Sequence, residues 1–287
     1  MGIGVLCERA TCIVLASDTR GSWPNHPISV HEECGKQWDF PFFPVVASVA
    51  GAMGAVQPFV DQLTVQIAAF GKRNRIYCEH FENAIDYARF RLFLKRVDWR
   101  LKTHMGMSFN EWRTTKTAGG SPLSALIVRA GLRIFDDTTL PVQAIVAGFL
   151  NDGRLIFYKA DQKADIDQSL SPGVLTIGSA NVVAMDHMTR RGQNVDCSLV
   201  RSLLHVYEAM QKARRTDRYV GNPSAYFVVH KNGQIRRFPA DCLLLKNWAR
   251  LYSRRKTTLS LQDSRLASEQ VAALMMPHVR RETEFVK

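Results

Sequence analysis

Apolar residues open the chain in short, unbroken runs. Ile3-Gly4-Val5-Leu6-Cys7 and Cys12-Ile13-Val14-Leu15-Ala16-Ser17 flank the polar Glu8-Arg9-Ala10. The pattern reads as two strands buried on both faces and joined by a tight turn. The second run ends on Asp18 and Arg20. An acid and a base at the exit of a buried hairpin are costly unless they pair or do chemistry, so they are either a surface ion pair or part of a reactive site.

Residues 21–34 are rich in Pro, Gly, Asn and Ser and read as an extended loop. Lys36-Gln37-Trp38-Asp39-Phe40 reads as a short strand and Val45-Val46-Ala47-Ser48-Val49-Ala50-Gly51 as a buried one. The period then changes. Val56, Phe59, Val60, Leu63, Ile67 and Phe70 recur at steps of three and four, which predicts a helix over residues 55–72. Phe81, Ile85, Ala88, Leu92, Val97 and Leu101 predict a second over 79–105, its arginines and lysines forming the wet face. Residues 106–122 read as loop.

Strands return at 123–130, 143–150 and 154–160, the last two joined by the turn Asn151-Asp152-Gly153. A strand over 172–179 ends in a glycine turn. Helices follow over 181–191 and 197–214, with Asp196 as the expected N-cap of the second. A closing hairpin pairs 225–230 with 234–238. Strands in blocks and helices in pairs predict two packed antiparallel sheets with helix layers outside, an α+β four-layer α-β-β-α sandwich. The domain spans residues 1–240. Residues 241–287 form a basic C-terminal extension with a short helix expected near 263–275.

The composition is that of an ordinary soluble globular chain: 287 residues, 46% apolar and 22% charged. The net charge of +12 is gathered mostly in residues 89–102, 212–218 and 248–256. Without a nucleic-acid-binding signature, these clusters read as solvated helix faces. Six cysteines without a C-x-x-C pair point to reduced thiols and a cytoplasmic protein. No apolar run approaches the ~20 residues that span a bilayer. The eight histidines show no metal spacing, and no cofactor or metal is expected.

Taken together, Gly4-Val5-Leu6-Cys7, Val14-Leu15-Ala16-Ser17-Asp18-Thr19-Arg20, Gly35-Lys36 and Val49-Ala50-Gly51 resemble the N-terminal half of a proteasome β-type subunit, of the N-terminal nucleophile hydrolases. In the second half, Ile177-Gly178-Ser179-Ala180, Arg215-Thr216-Asp217 and Tyr226-Phe227-Val228-Val229 are similar to that family's later motifs. The likeness covers about residues 2–240. It implies a threonine-type peptidase whose first residue supplies both the attacking hydroxyl and, through its α-amine, the base. Asp18 and Lys36 then tune that residue, with Gln37 the alternative occupant of the lysine's place. Asp217 and Ser179 support the amine, and the Gly51 N–H donates to the oxyanion. The resemblance also implies self-association into rings and an unfolded polypeptide as substrate. It leaves open an ATPase cap.

Two positions depart from the family's pattern. Val220 stands where a serine hydroxyl is expected. By alignment on Gly4 the nucleophile falls about one position before Met1, and no Thr, Ser or Cys lies among the first six residues. Thr11 and Cys7 are better explained as strand residues. A peptidase subunit with its nucleophile outside this reading frame and a noncatalytic subunit of the same fold therefore both stand as expectations.

Overall fold

The computed structural model describes residues 1–18, 21–23, 26–31, 36–40, 42–70, 76–162, 166–167, 173–221, 223–239 and 247. The elements in order are β1 (Gly2–Cys7), β2 (Cys12–Asp18), β3 (Gly21–Trp23), β4 (His26–His31), β5 (Gln37–Asp39) and β6 (Val45–Gly51), followed by the helices α1 (Met53–Phe70), α2 (Cys78–Met105), α3 (Phe109–Thr114) and α4 (Ala125–Asp136). Then come β7 (Val142–Phe149), β8 (Leu155–Ala160), β9 (Ile166–Asp167), β10 (Val174–Ile177), α5 (Asn181–Arg190), α6 (Leu199–Thr216), β11 (Pro223–His230) and β12 (Ile235–Pro239).

Two five-stranded antiparallel sheets result, ordered β10-β1-β2-β11-β12 and β5-β6-β7-β8-β9. The two-residue period of a strand explains the layering. On β1 and β2, Ile3, Val5, Val14 and Ala16 face α5 and α6, where they meet Leu203, Val206 and Met210. Leu6, Ile13 and Leu15 point the other way and meet Val46, Ile145 and Phe149 of the second sheet. Val45, Ala47 and Val49 of β6 face α1 and α2 through Phe59, Leu63 and Phe81. Each strand thus serves two apolar layers, which is why its residues are apolar without interruption. Each fully buried Leu, Ile or Phe contributes roughly 1.5–3 kcal/mol. The predicted four-layer α-β-β-α sandwich is the observed fold.

Several local expectations are corrected. Residues 123–130 are not a strand. Ser124 caps α4 by accepting from the Ile127 N–H, and the helix docks through Phe135 against Phe93 and Trp112, with the Trp112 indole donating to the Val128 carbonyl. Inside the supposed loop 106–122 lies α3, opened by a reciprocal Ser108–Glu111 capping box. The N-cap of α6 is Ser198, not Asp196: its hydroxyl accepts from Arg201 N–H. Within the expected loop 21–34, β3 and β4 pair as a two-stranded ribbon. Arg89, assigned to the wet side of α2, is buried and donates to the Asp161 carbonyl. Arg20, Gly35, the helix near 263–275 and, apart from Asn247, the extension 241–287 lie outside the described residues. Among the described residues, no helix is long and apolar enough to cross a membrane.

Candidate active site

The site is built by the β1–β2 ladder. Its pairs run from Cys7↔Cys12 to Gly2↔Ser17, and one more bond, from Asp18 N–H to the Met1 carbonyl at 3.1 Å, sets Met1 opposite Asp18. The α-amine of Met1 thereby lands on Asp18 Oδ1 at 2.8 Å. Lys36, just before β5, donates its ammonium to the same oxygen. The other oxygen, Oδ2, accepts the Gly221 N–H at 2.8 Å. Asp18 and the Met1 amine are fully buried, and Lys36 nearly so.

Two cations therefore share one carboxylate away from water. Burial would raise the Asp18 pKa, but the amine and Lys36 outweigh it, and the net displacement is downward. For the amine the balance is reversed. Burial lowers its pKa, Lys36 lowers it further, and the attraction of Asp18 only partly offsets them, leaving it at about 6. At neutral pH the amine is mostly unprotonated, with a lone pair free to act as a base.

Gly178, in the turn after β10, closes one side. Its φ is +93°, and a Cβ there would lie 2.8 Å from Met1 Cα. Only glycine lets that turn pass so near the first residue. Ser179 follows, and its hydroxyl hydrogen-bonds Asp217 Oδ2 at the end of α6. That pair sits at the rim, with Ser179 exposed. The groups that act on the Met1 amine are Asp18 and Lys36.

Gly51 lies at the end of β6, with φ +142°. Its neighbour Ala50 has its Cβ 3.5 Å from where a Gly178 Cβ would stand. The β6–β7 ladder bonds pass through Ala52 N–H to Pro141 O and Phe149 N–H to Pro44 O, even-numbered positions of the β6 segment. The Gly51 N–H therefore points to the opposite edge, the side on which Val49 N–H bonds the Lys36 carbonyl.

The structure thus brings Asp18 and Lys36 together with the chain's first amine, pairs Ser179 with Asp217, and sets Gly51 nearby. Lys36, not Gln37, meets Asp18. The Gln37 amide instead donates to the Leu15 carbonyl at 3.4 Å. The Met1 nitrogen is the one that meets Asp18. The Met1 side chain is buried in the apolar cluster with Ile3 and Ala180. Val220 is buried and offers no hydroxyl. Sequence reasoning missed the Gly221 N–H and Ser48. The Ser48 hydroxyl is buried without a hydrogen-bond partner among the described residues and stands 2.4 Å from where a Gly2 Cβ would be. Gly2 opposite a tightly packed serine was the signal available.

No family model matches the sequence, and no curated protein does. Solved structures do. Anbu from Hyphomicrobium sp. strain MC1, as a Gly-1 mutant, is 12% identical with a TM-score of 0.59, over 95% of this chain and 96% of that one. Anbu from Yersinia bercovieri, described as an ancestral β-subunit, is 12% identical with a TM-score of 0.60, over 90% and 98%. The Anbu complex of Pseudomonas aeruginosa, solved as a helical assembly, is 13% identical with a TM-score of 0.58, over 88% and 92%. At such identities the likeness is one of fold: the chain shares the two-sheet, helix-covered sandwich of these Anbu structures.

Proposed function

We propose that this chain is a subunit of a self-associating, proteasome-like peptidase whose base is the α-amine of its first residue. The observation that carries the reading is the buried amine at a pKa of about 6, held by Asp18 against Lys36. Burying three ionisable groups costs several kcal/mol per ion before pairing offsets it, and a scaffold gains nothing from a neutral amine at pH 7. In this reading the amine takes the proton of an attacking hydroxyl, and Lys36 stabilises the negative charge that develops. The Gly51 N–H donates to the oxyanion of the scissile carbonyl. Ser179 and Asp217 hold the rim against which an extended, unfolded polypeptide lies. Self-association is supported by the exposed apolar surface of α2 and α4, with Tyr87, Phe90, Trp99, Leu126 and Leu132 in or near solvent. The assembly of the Pseudomonas aeruginosa protein is a precedent in the same fold.

A second reading, a noncatalytic subunit of the same assembly, rests on one specific observation. The methionine at the amine's position has a thioether, which has no proton to give and no nucleophilic hydroxyl. Both readings meet in one experiment. The N-terminal residue of the subunit from its native cell is determined by intact mass. In parallel, a Met1→Thr chain is prepared with its threonine freed by cleavage of a removable fusion. The peptidase reading expects this threonine form to cleave unfolded polypeptide and to be labelled by an electrophile directed at N-terminal hydroxyls. Asp18→Asn and Lys36→Met are expected to abolish both. A threonine form that is folded and assembled yet inert and unlabelled leaves the noncatalytic reading standing.

A further inference from the structure

On the outer side of the second sheet, a cavity of about 800 Å³ opens between α2 and α4 and reaches Gln162, just after β8. Its walls are largely rings. Phe93 and Phe135, both half-buried, meet edge to face with centroids 4.9 Å apart. Tyr87 and Phe90, earlier on α2, line the same cavity and are 43% and 56% exposed. A single exposed ring needs no explanation. Two of them over a cavity lined by two more make one apolar surface with room for an occupant.

The charge at the mouth narrows what that occupant is. Asp86 lies on α2 one turn before Phe90, and Asp136 ends α4 beside Phe135. The one cation among the described lining residues, Arg89, is 3% exposed and is turned inward: it donates to the Asp161 carbonyl at 2.7 Å and stands 3.9 Å from Asp86 Oδ1. The opening is therefore acidic on a chain of net charge +12. Carboxylates there repel nucleic acid and anionic lipid headgroups, and suit an apolar segment that carries cations.

The chain itself contains such a segment. Between Cys242 and Lys256 there are five cations, Lys246, Arg250, Arg254, Arg255 and Lys256, and no acid. Leu244, Trp248 and Leu251 follow at steps of four and three, the spacing of one helical side, and Arg250, Arg254 and Lys256 border that side. Apart from Asn247 the segment lies outside the described residues.

Reach decides which copy supplies it. β12 is one edge of the first sheet and β10 the other, and it is β10 that lies over β7 and β8. Four strand spacings of ~4.8 Å, a sheet separation of ~10 Å and a helix layer of about 10 Å set the cavity roughly 25–30 Å from β12. Cys242 follows Pro239 by three residues, a reach of about 10 Å at most. A helical run from there adds only ~1.5 Å per residue, so Leu244 and Trp248 fall short of the cavity of their own copy.

We propose that the cavity between α2 and α4 receives residues 242–256 of a second copy of this chain, with Leu244, Trp248 and Leu251 entering among the rings and Arg250 and Arg254 pairing with Asp86 and Asp136. The inference deepens the self-association proposed above and rests on it. It names the two surfaces that meet.

The test places a photoreactive benzophenone amino acid at position 90 of the full chain, irradiates the protein, and reads the products by denaturing gel and peptide mass spectrometry. The expected product is a covalent dimer in which position 90 is joined to a residue between Cys242 and Lys256. Raising sodium chloride from about 0.05 to about 0.5 M is expected to cut its yield several-fold, because the ion pairs at the mouth are screened. Asp86→Lys combined with Asp136→Lys is expected to do the same at low salt, and Arg250→Glu with Arg254→Glu in the reversed chain to restore it. A yield indifferent to the charge reversal overturns the pairing. A link to the same segment at monomer mass overturns the choice of a second copy. A link to any other surface, or no link in a protein that light scattering shows to be assembled, overturns this inference and leaves the self-association reading in place. A chain that is monomeric by light scattering overturns both.

Discussion

Converting the Met1 nitrogen from an amine to an amide removes one titration from the folded state and tests the electrostatics of the site directly. In the folded chain the amine has a pKa of about 6, below its ordinary value of 8.0. Between those two values the unfolded chain binds more protons than the folded one, so stability rises with pH across the window. The contribution is complete above pH 8 and is lost as the pH falls through 6. A displacement of two units corresponds to about 3 kcal/mol. Urea unfolding of the free-amine chain and of an N-acylated chain, at pH 5.5, 7 and 8.5, provides the measurement. Cys12 and His205, whose pKa values are also lowered, contribute with the same sign in both forms and cancel in the difference. The free-amine chain is expected to gain about 2.4 kcal/mol more than the acylated chain between the extremes. Parallel curves would refute the idea that burial and Lys36 hold this amine in its neutral form.

Three other outcomes follow from the same geometry. Lys36→Met removes a cation that pushes the amine pKa down, so the pH midpoint of amine labelling by a small acylating reagent should move up from about 6. Asp18→Asn leaves the buried Lys36 ammonium without its counter-charge and should cost roughly 3–5 kcal/mol in denaturant unfolding at pH 7, whereas Asp217→Asn at the half-exposed rim should cost about 1 kcal/mol. Gly178→Ala combines a φ of +93° with a contact at 2.8 Å to Met1 Cα and should lower the melting temperature by several degrees, corresponding to about 1–3 kcal/mol.

The sandwich was legible because its strands serve two layers, so Val14-Leu15-Ala16 and Val45-Val46-Ala47 run apolar without a break. The helices α1 and α2 announced themselves by period. Residues 123–130 did not. Leu126-Ile127-Val128 fits a strand as well as a helix on apolar content, and the choice falls to the Ser124 cap and to the seat that Trp112 and Phe135 provide. The Ser108–Glu111 spacing could have revealed α3, but only a reading tuned to capping rather than to apolar period would catch six residues with no buried side chain. At the site, Asp18 was legible as a charge ending a buried run. Whether Lys36 or Gln37 faces it was not, because a shift of one residue in a strand reverses which side chain points inward, and the pairing partner lies far off in the sequence. The Gly221 amide was invisible for another reason: a backbone donor has no side chain to read.

The β1–β2 hairpin works as a ruler. Met1 and Asp18 are seventeen positions apart, and nothing specific to methionine brings them together. Their meeting is fixed by the count of residues along two strands and by the length of the Glu8–Arg9–Ala10 turn, where three consecutive left-handed residues are held by bonds from Glu8 and Arg9 to the carbonyls of Cys197 and Val195. Insert one residue in that turn, and the nitrogen presented to Asp18 is a different one, even though every side chain of the site is unchanged. What this fold transmits from one end of the hairpin to the other is therefore distance, and a short polar turn decides which nitrogen meets Asp18.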